Sequence, residues 1–387
     1  MATIADVEAI GVNVSPKTNW TFVAVTDSTG STGFGECSLN GFEELLVAEA
    51  GRVARAAIGI DVDRIGELLR YFPHAPGGLV THAVKSAIEQ ALVDLSAQHA
   101  GVAIAEHLCS SPRQSVPAYA NINRSVTERS PAAFAAAAQR AIAAGYRAVK
   151  LAPFDGVIAE DEATTPIDAR IRAGLDRVFA VRDAIGAAPA LMVDCHWRFD
   201  EPRAAQLIRD LVPARLHWIE CPVSEHPSWF PAIARLTRLA RECGMKSAGG
   251  EMIAGVDQAE AMCDAALYDV LMPDIKYAGG YRGMLDIARL CARHGKEFSP
   301  HNPTGPIAHI ASVHRCAASP TLLWLEHQWN ESALFESLVG GVPAPLVDGA
   351  FVVPCVPGLG ARLDRELARS RPWQPLPADA NLDPRLG

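Results

Sequence analysis

The sequence has no cluster of basic residues, no paired cysteine motif and no long hydrophobic run. Its 387 residues include 35 Lys and Arg against 44 Asp and Glu, which gives a formal net charge of −9. This balance argues against a nucleic-acid partner, because a nucleic-acid-binding surface needs clustered positive charge. No apolar run reaches the roughly 18 residues that a membrane helix needs, so we expect no membrane span.

Cysteines are few and scattered. All 9 occur singly, and none lies in a CxxC motif. An odd, unclustered number is typical of reduced thiols in the cytoplasm rather than of a disulfide framework. The N-terminal segment MATIADVEAIGVNV lacks the basic and apolar regions of a signal peptide, which also favours a cytoplasmic location. With 49% hydrophobic and 20% charged residues, the composition is that of a globular protein.

The two ends of the chain predict one capping unit. Residues 1–114 begin with strand-like segments and continue with apolar residues at helical spacing, including residues 64–72. Strands followed by a run of helices predict an α+β domain. Residues 341–387 begin with a stretch rich in Pro and Gly, and we expect this segment to pack back against the N-terminal domain.

Between these ends, residues 115–340 alternate short apolar strands with helical stretches. The eight strand candidates are SVPAYANIN, RAVKLA, ALMVDCH, LHWIECP, KSAGGE, VLMPDIK, EFSPHN and LLWLEHQ. Eight strand–helix units predict a (β/α)8 barrel. A doubly wound open sheet is the alternative, but no GxGxxG motif follows a strand and eight units exceed its usual number.

A polar residue stands where most of these strands end. These residues are Lys150, Asp194, Glu220, Glu251, Asp274, His301 and Glu326. The intervals from Asp194 onward are 26, 31, 23, 27 and 25 residues, the length of one strand–helix unit. The side chains should therefore surround one mouth of the barrel, which is the active site in essentially every characterised enzyme of this fold.

Three of these residues predict a metal site. Asp194, Glu220 and Glu251 end consecutive strands and would converge at the mouth. Carboxylates at close range raise one another's pKa unless a cation lies between them. An oxygen-only ligand set without His or Cys suits Mg²⁺ better than Zn²⁺. The alternative is that each carboxylate lies solvated at the rim of the barrel.

Further round the mouth, Asp274 precedes His301 by one unit. A carboxylate beside an imidazole would orient the ring and raise its basicity, as a general base requires. The alternative is a His301 packed beneath the proline-rich loop NPTGP. Glu326 would close the ring opposite the metal. Ionised, it would repel an anionic substrate, whereas protonated it would donate a hydrogen bond to a developing oxyanion.

At these residues the sequence resembles the enolase superfamily, in its mandelate racemase subgroup. The motifs that carry the resemblance are YRAVKLA, VDCHW, WIECP, GGE, MPDIKYAGG, SPHNPTGPIA and LEHQ. The resemblance implies a (β/α)7β TIM-like barrel with an N-terminal α+β capping domain completed by the C-terminal segment. It also implies a homo-oligomer and Mg²⁺-dependent abstraction of the proton α to a carboxylate, which gives an enediolate.

The resemblance assigns roles by position. Asp194, Glu220 and Glu251 correspond to the metal ligands. His301 corresponds to the general base, with Asp274 as its orienting partner. Glu326 corresponds to the electrophilic donor.

The second strand departs from the racemase pattern. Lys150 corresponds to the lysine that neutralises the substrate carboxylate. Racemases of this subgroup carry Lys-x-Lys here, the second Lys being a base on the opposite face. This chain has Lys150-Leu151-Ala152, so that base is missing and racemisation is disfavoured.

His196 distinguishes the remaining reactions. Strand alternation would place Asp194 and His196 on the same side of the third strand. Acid-sugar dehydratases of this superfamily have Asp-x-His at this strand, the His protonating the departing β-hydroxyl. We therefore expect a dehydratase that converts an aldonate or aldarate into a 2-keto-3-deoxy acid. The alternatives are an isomerase or cycloisomerase acting on a sugar-acid lactone, with His196 as a bystander, and a non-catalytic carboxylate-binding barrel.

The remaining candidates concern substrate binding. We expect Lys17, Asn19 and Trp20 to lie in a loop that covers the barrel mouth, together with residues 33–41, and to contact distal hydroxyls of the substrate. Lys276 should face inward, either as a second cation near the substrate or as an ion-pair partner of Glu251 or Asp274.

Overall fold

The computed structural model describes residues 2–64, 78–157 and 166–376. The chain begins with a three-stranded antiparallel sheet, made of β1 (Ile4–Ser15), β2 (Thr18–Asp27) and β3 (Thr32–Glu36). Among the described residues three helices follow, α1 (Glu43–Ala57), α2 (Gly78–Ala100) and α3 (Ile104–Leu108). This α+β unit is the predicted capping domain. The predicted helix at 64–72 lies almost wholly outside the described residues.

Eight parallel strands form the barrel. They are β4 (Ser115–Asn121), β5 (Ala148–Leu151), β6 (Ala190–Asp194), β7 (Trp218–Glu220), β8 (Lys246–Gly249), β9 (Val270–Leu271), β10 (Glu297–Phe298) and β11 (Leu325–Gln328). Neighbours in sequence pair from β4 to β10, and β11 pairs with β4. The gap between β10 and β11 is bridged by the amide of Leu323, which donates to the Phe298 carbonyl at 2.8 Å. The barrel prediction is therefore confirmed at all eight predicted strands.

Seven helices connect these strands. They are α4 (Pro131–Ala143), α5 (Ile167–Ile185), α6 (Glu201–Asp210), α7 (Phe230–Glu242), α8 (Val256–Asp264), α9 (Gly280–Arg293) and α10 (Pro306–Ala317). After β11 the described residues contain only the short helix α11 (Leu334–Ser337) before the chain leaves the barrel. The architecture is thus (β/α)7β. None of the described helices combines the length and apolar character needed to cross a bilayer.

The C-terminal segment returns to the capping domain. It contains the strands β12 (Leu346–Val347) and β13 (Ala350–Val352) and the helix α12 (Arg365–Arg369). Strand β13 pairs antiparallel with β4. Farther along, the Gly358 amide donates to Val102 O at 2.9 Å, and the Asn13 amide donates to Arg371 O at 2.9 Å. The domain boundaries at 114 and 340 stay predictions, and residues after 376 lie outside the described part.

Side-chain alternation builds the barrel interior in layers. One layer is an apolar cluster of Tyr119, Ala148, Met192, Trp218, Ala248, Val270 and Met272. Because side chains on one face of a strand recur every two residues, the next positions on four of these strands face the same interior. Those positions are Asn121, Lys150, Asp194 and Glu220. The apolar layer therefore forms the floor beneath the polar mouth.

His314 on α10 links the barrel to both parts of the capping unit. Its Nδ1 accepts a hydrogen bond from the Ala105 amide at 3.2 Å, and its Nε2 donates to Leu359 O at 3.0 Å. An imidazole that accepts at one nitrogen and donates at the other is neutral. Burial lowers the pKa of His314 to about 4, although its bond to Leu359 opposes the shift.

We predict that His314 makes the fold sensitive to acid. As the pH falls from 6.5 towards about 4, the unfolded state binds a proton that the folded state does not, so stability is lost. A shift of this size corresponds to about 3 kcal/mol. His314→Gln should be less stable than the wild type at pH 8, and this difference should narrow on acidification. Urea unfolding at several pH values measures it.

Ile310→Val, in the same helix, is the control for this experiment. Ile310 is buried, and its substitution should lower the free energy of unfolding by about 1 kcal/mol at every pH, because no titrating group is lost. A difference between wild type and His314→Gln that stays constant with pH would contradict the prediction.

Candidate active site

Three carboxylates meet at the C-terminal mouth of the barrel. Asp194 and Glu220 end β6 and β7 and are paired in register. Glu251 follows β8 after a turn at Gly250, whose φ of +91° suits a residue without a side chain. One oxygen from each of the three buried carboxylates lies within 4.8 Å of the others. The structure thus brings the predicted ligand set together, while metal ligation stays a prediction.

The electrostatics of this triad call for a cation. Burial, followed by repulsion from Asp194 and Glu220, raises the pKa of Glu251 well above its usual value. Burial also raises the pKa of Glu220 to about 8, despite the nearby Lys150 ammonium. The Oε2 atom of Glu251 is buried and has no hydrogen-bond partner among the described residues. An oxygen-only cluster with an unsatisfied carboxylate oxygen fits a hard divalent ion.

Asp194 differs from the other two carboxylates. Burial would raise its pKa, but the neighbouring His196 and Lys150 lower it below the usual value. The three carboxylates therefore do not share one charge state at neutral pH in the absence of a metal ion. Binding a divalent ion would favour the ionised form of all three.

Lys150 bridges two carboxylates of the barrel. Its Nζ lies 2.7 Å from Glu220 Oε1 and 2.9 Å from Glu326 Oε1. Burial would lower its pKa, but these two carboxylates raise it well above the ordinary value. Lys150 is therefore a buried ammonium with two partners inside the protein, and its role toward a substrate carboxylate stays a prediction.

Glu326 is an acceptor in this structure rather than a donor. Its Oε1 accepts from Lys150 and from Asn121 Nδ2 at 2.7 Å, and its Oε2 accepts from the Asn302 amide at 3.1 Å. Burial would raise the pKa of Glu326, but Lys150, His301 and Asn121 together lower it. All three partners supply hydrogens, so this arrangement fits the ionised form of Glu326, and its role as a donor toward a substrate oxyanion stays a prediction.

His301 and Asp274 form the predicted pair. His301 Nδ1 lies 2.8 Å from Asp274 Oδ2, and an ionised carboxylate only accepts, so Nδ1 carries the proton. The other ring nitrogen, Nε2, lies 3.6 Å from Glu251 Oε2 and thus faces the triad. Burial lowers the pKa of His301 even though Asp274 opposes the shift. Asp274 therefore orients the ring, but the expected gain in basicity is outweighed by burial.

Lys276 is an ion-pair partner of Asp274. Its Nζ lies 2.6 Å from Asp274 Oδ2, and its amide donates to Asp274 Oδ1 at 2.8 Å. Burial would raise the pKa of Asp274, but Lys276 and His301 lower it. Of the two alternatives for Lys276, the structure shows the ion pair, and the buried ammonium leaves little surface for a substrate.

His196 reaches the site by a route that strand alternation did not predict. Strand β6 ends at Asp194, and both His196 and Trp197 have positive φ, of 47° and 58°. The His196 amide donates to Asp194 Oδ1 at 2.9 Å, and its Nε2 lies 2.8 Å from Asp194 Oδ2. The turn therefore folds the ring back onto Asp194. Its side chain is 33% exposed, so part of the ring remains accessible.

The expectation that Asn19 and Trp20 lie in a covering loop is wrong. Both belong to β2 and are about 1% exposed. Asn19 donates to Glu43 at 3.0 Å, and Trp20 packs edge-on against Phe335 at 6.2 Å between ring centroids. These residues are buried because β2 is the central strand of the capping sheet. Lys17 lies in the exposed turn before β2, and its contact with a substrate stays a prediction.

Two asparagines at the mouth were missed from the sequence. Asn121 ends β4, and Asn302 follows His301, and both donate to Glu326. Asn121 stands at the end of the first barrel strand, so the same strand-end criterion that found the other residues applies to it. Asn302 had no comparable signal, because its role depends on the position of β11.

We predict that a divalent ion stabilises the protein through the triad. At a free concentration of about one hundred times its Kd, an ion that binds only the folded state adds about 2.7 kcal/mol to the free energy of unfolding. Mg²⁺ should raise the melting temperature of the wild type, and Glu251→Gln should abolish that increase, because it removes one carboxylate charge. Thermal unfolding with MgCl₂ and with a chelator measures both.

Asp269→Asn is the matched control. Asp269 lies at the opposite mouth, where it accepts from the Ser247 amide at 3.0 Å. This variant should keep the full effect of Mg²⁺. A Glu251→Gln variant that is stabilised as much as the wild type would exclude the triad as the binding site.

Comparison with known proteins agrees with this geometry. The chain matches two family models, the enolase C-terminal domain-like family over residues 133–367 and the N-terminal domain of mandelate racemase/muconate lactonizing enzymes over residues 7–109. It is 27% identical over 359 residues to a D-galactonate dehydratase from Xanthomonas euvesicatoria, with 90% of each chain covered.

Solved structures extend the likeness to the whole fold. A mandelate racemase/muconate lactonizing enzyme from Jannaschia superposes with a TM-score of 0.85 at 25% identity, covering 96% of this chain and 98% of that one. A member of the enolase superfamily from Salmonella typhimurium gives 0.84 at 22% identity, covering 96% and 99%, which shows the fold alone. These matches confirm the predicted family and the prediction of an enzyme: the chain belongs to the mandelate racemase/muconate lactonizing enzyme family of the enolase superfamily.

Proposed function

We propose that this enzyme is a Mg²⁺-dependent dehydratase of acid sugars, aldonates or aldarates, that produces 2-keto-3-deoxy acids. The observation that carries the proposal is the pair of imidazoles beside the carboxylate triad. His301 Nε2 lies 3.6 Å from Glu251, and His196 Nε2 lies 2.8 Å from Asp194. Removal of a proton and departure of a hydroxyl from adjacent carbons need a separate base and acid, and this site offers two such groups.

In this proposal Asp194, Glu220 and Glu251 hold the metal ion. An ion bound there would supply positive charge beside the substrate carboxylate, which stabilises the negative charge that grows as the α-proton leaves. Lys150 offsets the charge of Glu220 and Glu326, so the protein charge around the carboxylate is not uniformly negative.

His301 is the proposed base. Its Nδ1 proton is held by Asp274 at 2.8 Å, so the lone pair of Nε2 is directed into the mouth. A neutral imidazole accepts a proton, and the lowered pKa of His301 keeps it neutral near pH 7. The electron pair of the broken C–H bond enters the carboxylate, giving an enediolate. The charged imidazole that results is stabilised by Asp274.

His196 is the proposed acid. The enediolate electrons form the C2–C3 double bond as the C3–O bond breaks, and the leaving oxygen takes a proton from His196 and departs as water. The enol that remains tautomerises to the 2-keto-3-deoxy acid. The His196 Nε2 atom lies 2.8 Å from Asp194 Oδ2, which holds the ring beside the triad.

Racemisation is a poor fit to the second strand. Two residues beyond Lys150, where a second lysine would face the substrate, the chain has the buried Ala152. A proton removed by His301 has no lysine on the opposite face to return it. The relatives named D-galactonate dehydratase support the acid-sugar class of the substrate, though not its configuration.

A cycloisomerase acting on a sugar-acid lactone is the second candidate. It would use the same first step at His301, and the exposure of His196 suits a bystander as well as an acid. The products separate the two, because dehydration lowers the mass of the substrate by one water and isomerisation leaves it unchanged.

The cysteines bear on the location of the enzyme. All nine are free thiols in this structure, which supports the proposal of a reducing, cytoplasmic compartment. A homo-oligomeric assembly stays a prediction.

We predict that His301→Asn abolishes catalysis by removing the base. Exchange of the substrate α-proton in D₂O with Mg²⁺ should fall by about 10²–10⁴-fold, as should dehydration. NMR follows the exchange, and a panel of acid sugars provides the substrates. The exposed His226→Asn is the control, since the His226 ring bonds only to the neighbouring Ser228. Full activity in His301→Asn would contradict the assignment.

We predict a different result for His196→Asn. It should lose dehydration by a similar factor of about 10²–10⁴ yet retain α-proton exchange, because the base is intact. Mass spectrometry of the product and NMR of the α-position distinguish the two steps. If exchange disappears as well while Mg²⁺ still stabilises the variant, His196 is not a dedicated acid.

A further inference from the structure

A carboxylate of the capping domain binds the start of barrel helix α10. Glu36, the last residue of β3, is fully buried. Its Oε1 accepts from Thr304 Oγ1 at 2.6 Å and from the Gly305 amide at 2.8 Å, and its Oε2 accepts from the Ala308 amide at 2.9 Å. A carboxylate at this position satisfies free amides of the first turn and interacts favourably with the helix dipole.

A second carboxylate of the capping domain binds the start of α9 in the same way. Glu89 of α2 accepts from the Tyr281 amide at 2.8 Å and the Arg282 amide at 3.2 Å. Ser86, one turn earlier on α2, accepts from the Gly279 amide at 3.0 Å. A Cβ at Gly280 would lie 2.0 Å from Glu89 Oε2, so this approach requires glycine.

The two helices held in this way follow the two loops that carry the proposed base and its partner. Asp274 lies six residues before the start of α9, and its carbonyl accepts from the amides of Tyr277 and Ala278 at 3.0 and 2.9 Å, which makes the loop a tight turn. The Tyr277 hydroxyl donates to Ser38 O at 2.9 Å, a further bond from this loop to the capping domain. His301 lies five residues before the start of α10.

We propose that Glu36 and Glu89 are positioning residues that align His301 with Asp274. Neither touches the triad. Each fixes one helix start, and the 2.8 Å hydrogen bond between His301 and Asp274 joins the two loops that precede those starts. The capping domain thereby sets the direction of His301 Nε2. The kinetic consequence of this alignment rests on the proposed function, whereas the alignment itself does not.

Asp94 offers a matched control on the same helix as Glu89. It is also a buried carboxylate that accepts two amides, from Phe34 at 3.0 Å and Leu359 at 2.8 Å. Neither amide belongs to the loop that carries Asp274 or to the loop that carries His301. Asp94→Asn should therefore weaken the capping domain without moving His301 relative to Asp274.

The first test reads the His301 ring directly, without substrate. Glu36→Gln and Glu89→Gln keep the side-chain volume but replace one acceptor oxygen with an amide group that faces backbone N–H donors. In protein that contains isotope-labelled histidine, the NMR signals of the His301 ring nitrogens should shift in both variants. These signals are assigned by their absence from the spectrum of His301→Asn. They should keep their wild-type positions in Asp94→Asn.

The second test is kinetic. Small misplacements of reacting groups lower rates strongly, so we expect kcat to fall by about tenfold to a hundredfold in Glu36→Gln and Glu89→Gln. The substrate KM should change by less than about threefold, because ground-state binding is retained. Asp94→Asn should keep the wild-type kcat. If Glu36→Gln does not fold, Thr304→Ala removes one of the bonds to Glu36, and Ser86→Ala does the same for the α9 start.

The outcomes separate this proposal from the proposed function. Unshifted His301 signals in both glutamine variants, or equal shifts in Asp94→Asn, would overturn the alignment. Shifted signals without a larger loss of kcat than in Asp94→Asn would overturn the kinetic consequence of the alignment. A wild-type protein that neither exchanges nor dehydrates any acid sugar would overturn the proposed function, while the signals of the His301 ring would still decide the alignment.

Discussion

Repulsion among three buried carboxylates is the constraint on which the mouth of this barrel depends. Asp194, Glu220 and Glu251 offer oxygens within 4.8 Å of one another, and burial prevents water from screening them. Lys150 offsets part of this charge through Glu220, and a divalent cation would offset the rest. The site is thus assembled at an electrostatic cost that a bound divalent ion would offset without protonation of a carboxylate, which ties the fold of the mouth to the chemistry proposed for it.

Around the triad, positive and negative groups alternate. Lys150 lies between Glu220 and Glu326, and Asp274 lies between Lys276 and His301. This alternation keeps each buried charge paired, as burial demands. It also gives similar side chains different charge states, because burial and partners act in opposite directions. Glu220 has a raised pKa and Glu326 a lowered one although both contact the same lysine.

The fold and much of the candidate site could be predicted from local patterns. Most of the predicted barrel strands end in a polar residue after an apolar run, so Asp194, Glu220 and His301 stand out without any knowledge of contacts. The errors arose where a residue leaves the regular geometry. His196 lies beyond the end of β6 in a turn with positive φ, where alternation no longer applies. Trp20 was assigned to a loop because the short turn before β2 could not be separated from the strand.

Periodicity and the spacing of polar residues were sufficient to predict the barrel and the meeting of three carboxylates at its C-terminal mouth, because these follow from the repeat of one strand–helix unit. Charge states and partners required the folded chain. Asn302 meets Glu326, and Glu36 meets the start of α10, only because segments far apart in sequence come into contact. Such pairings depend on how the capping domain and the barrel pack together, and no local pattern encodes that packing.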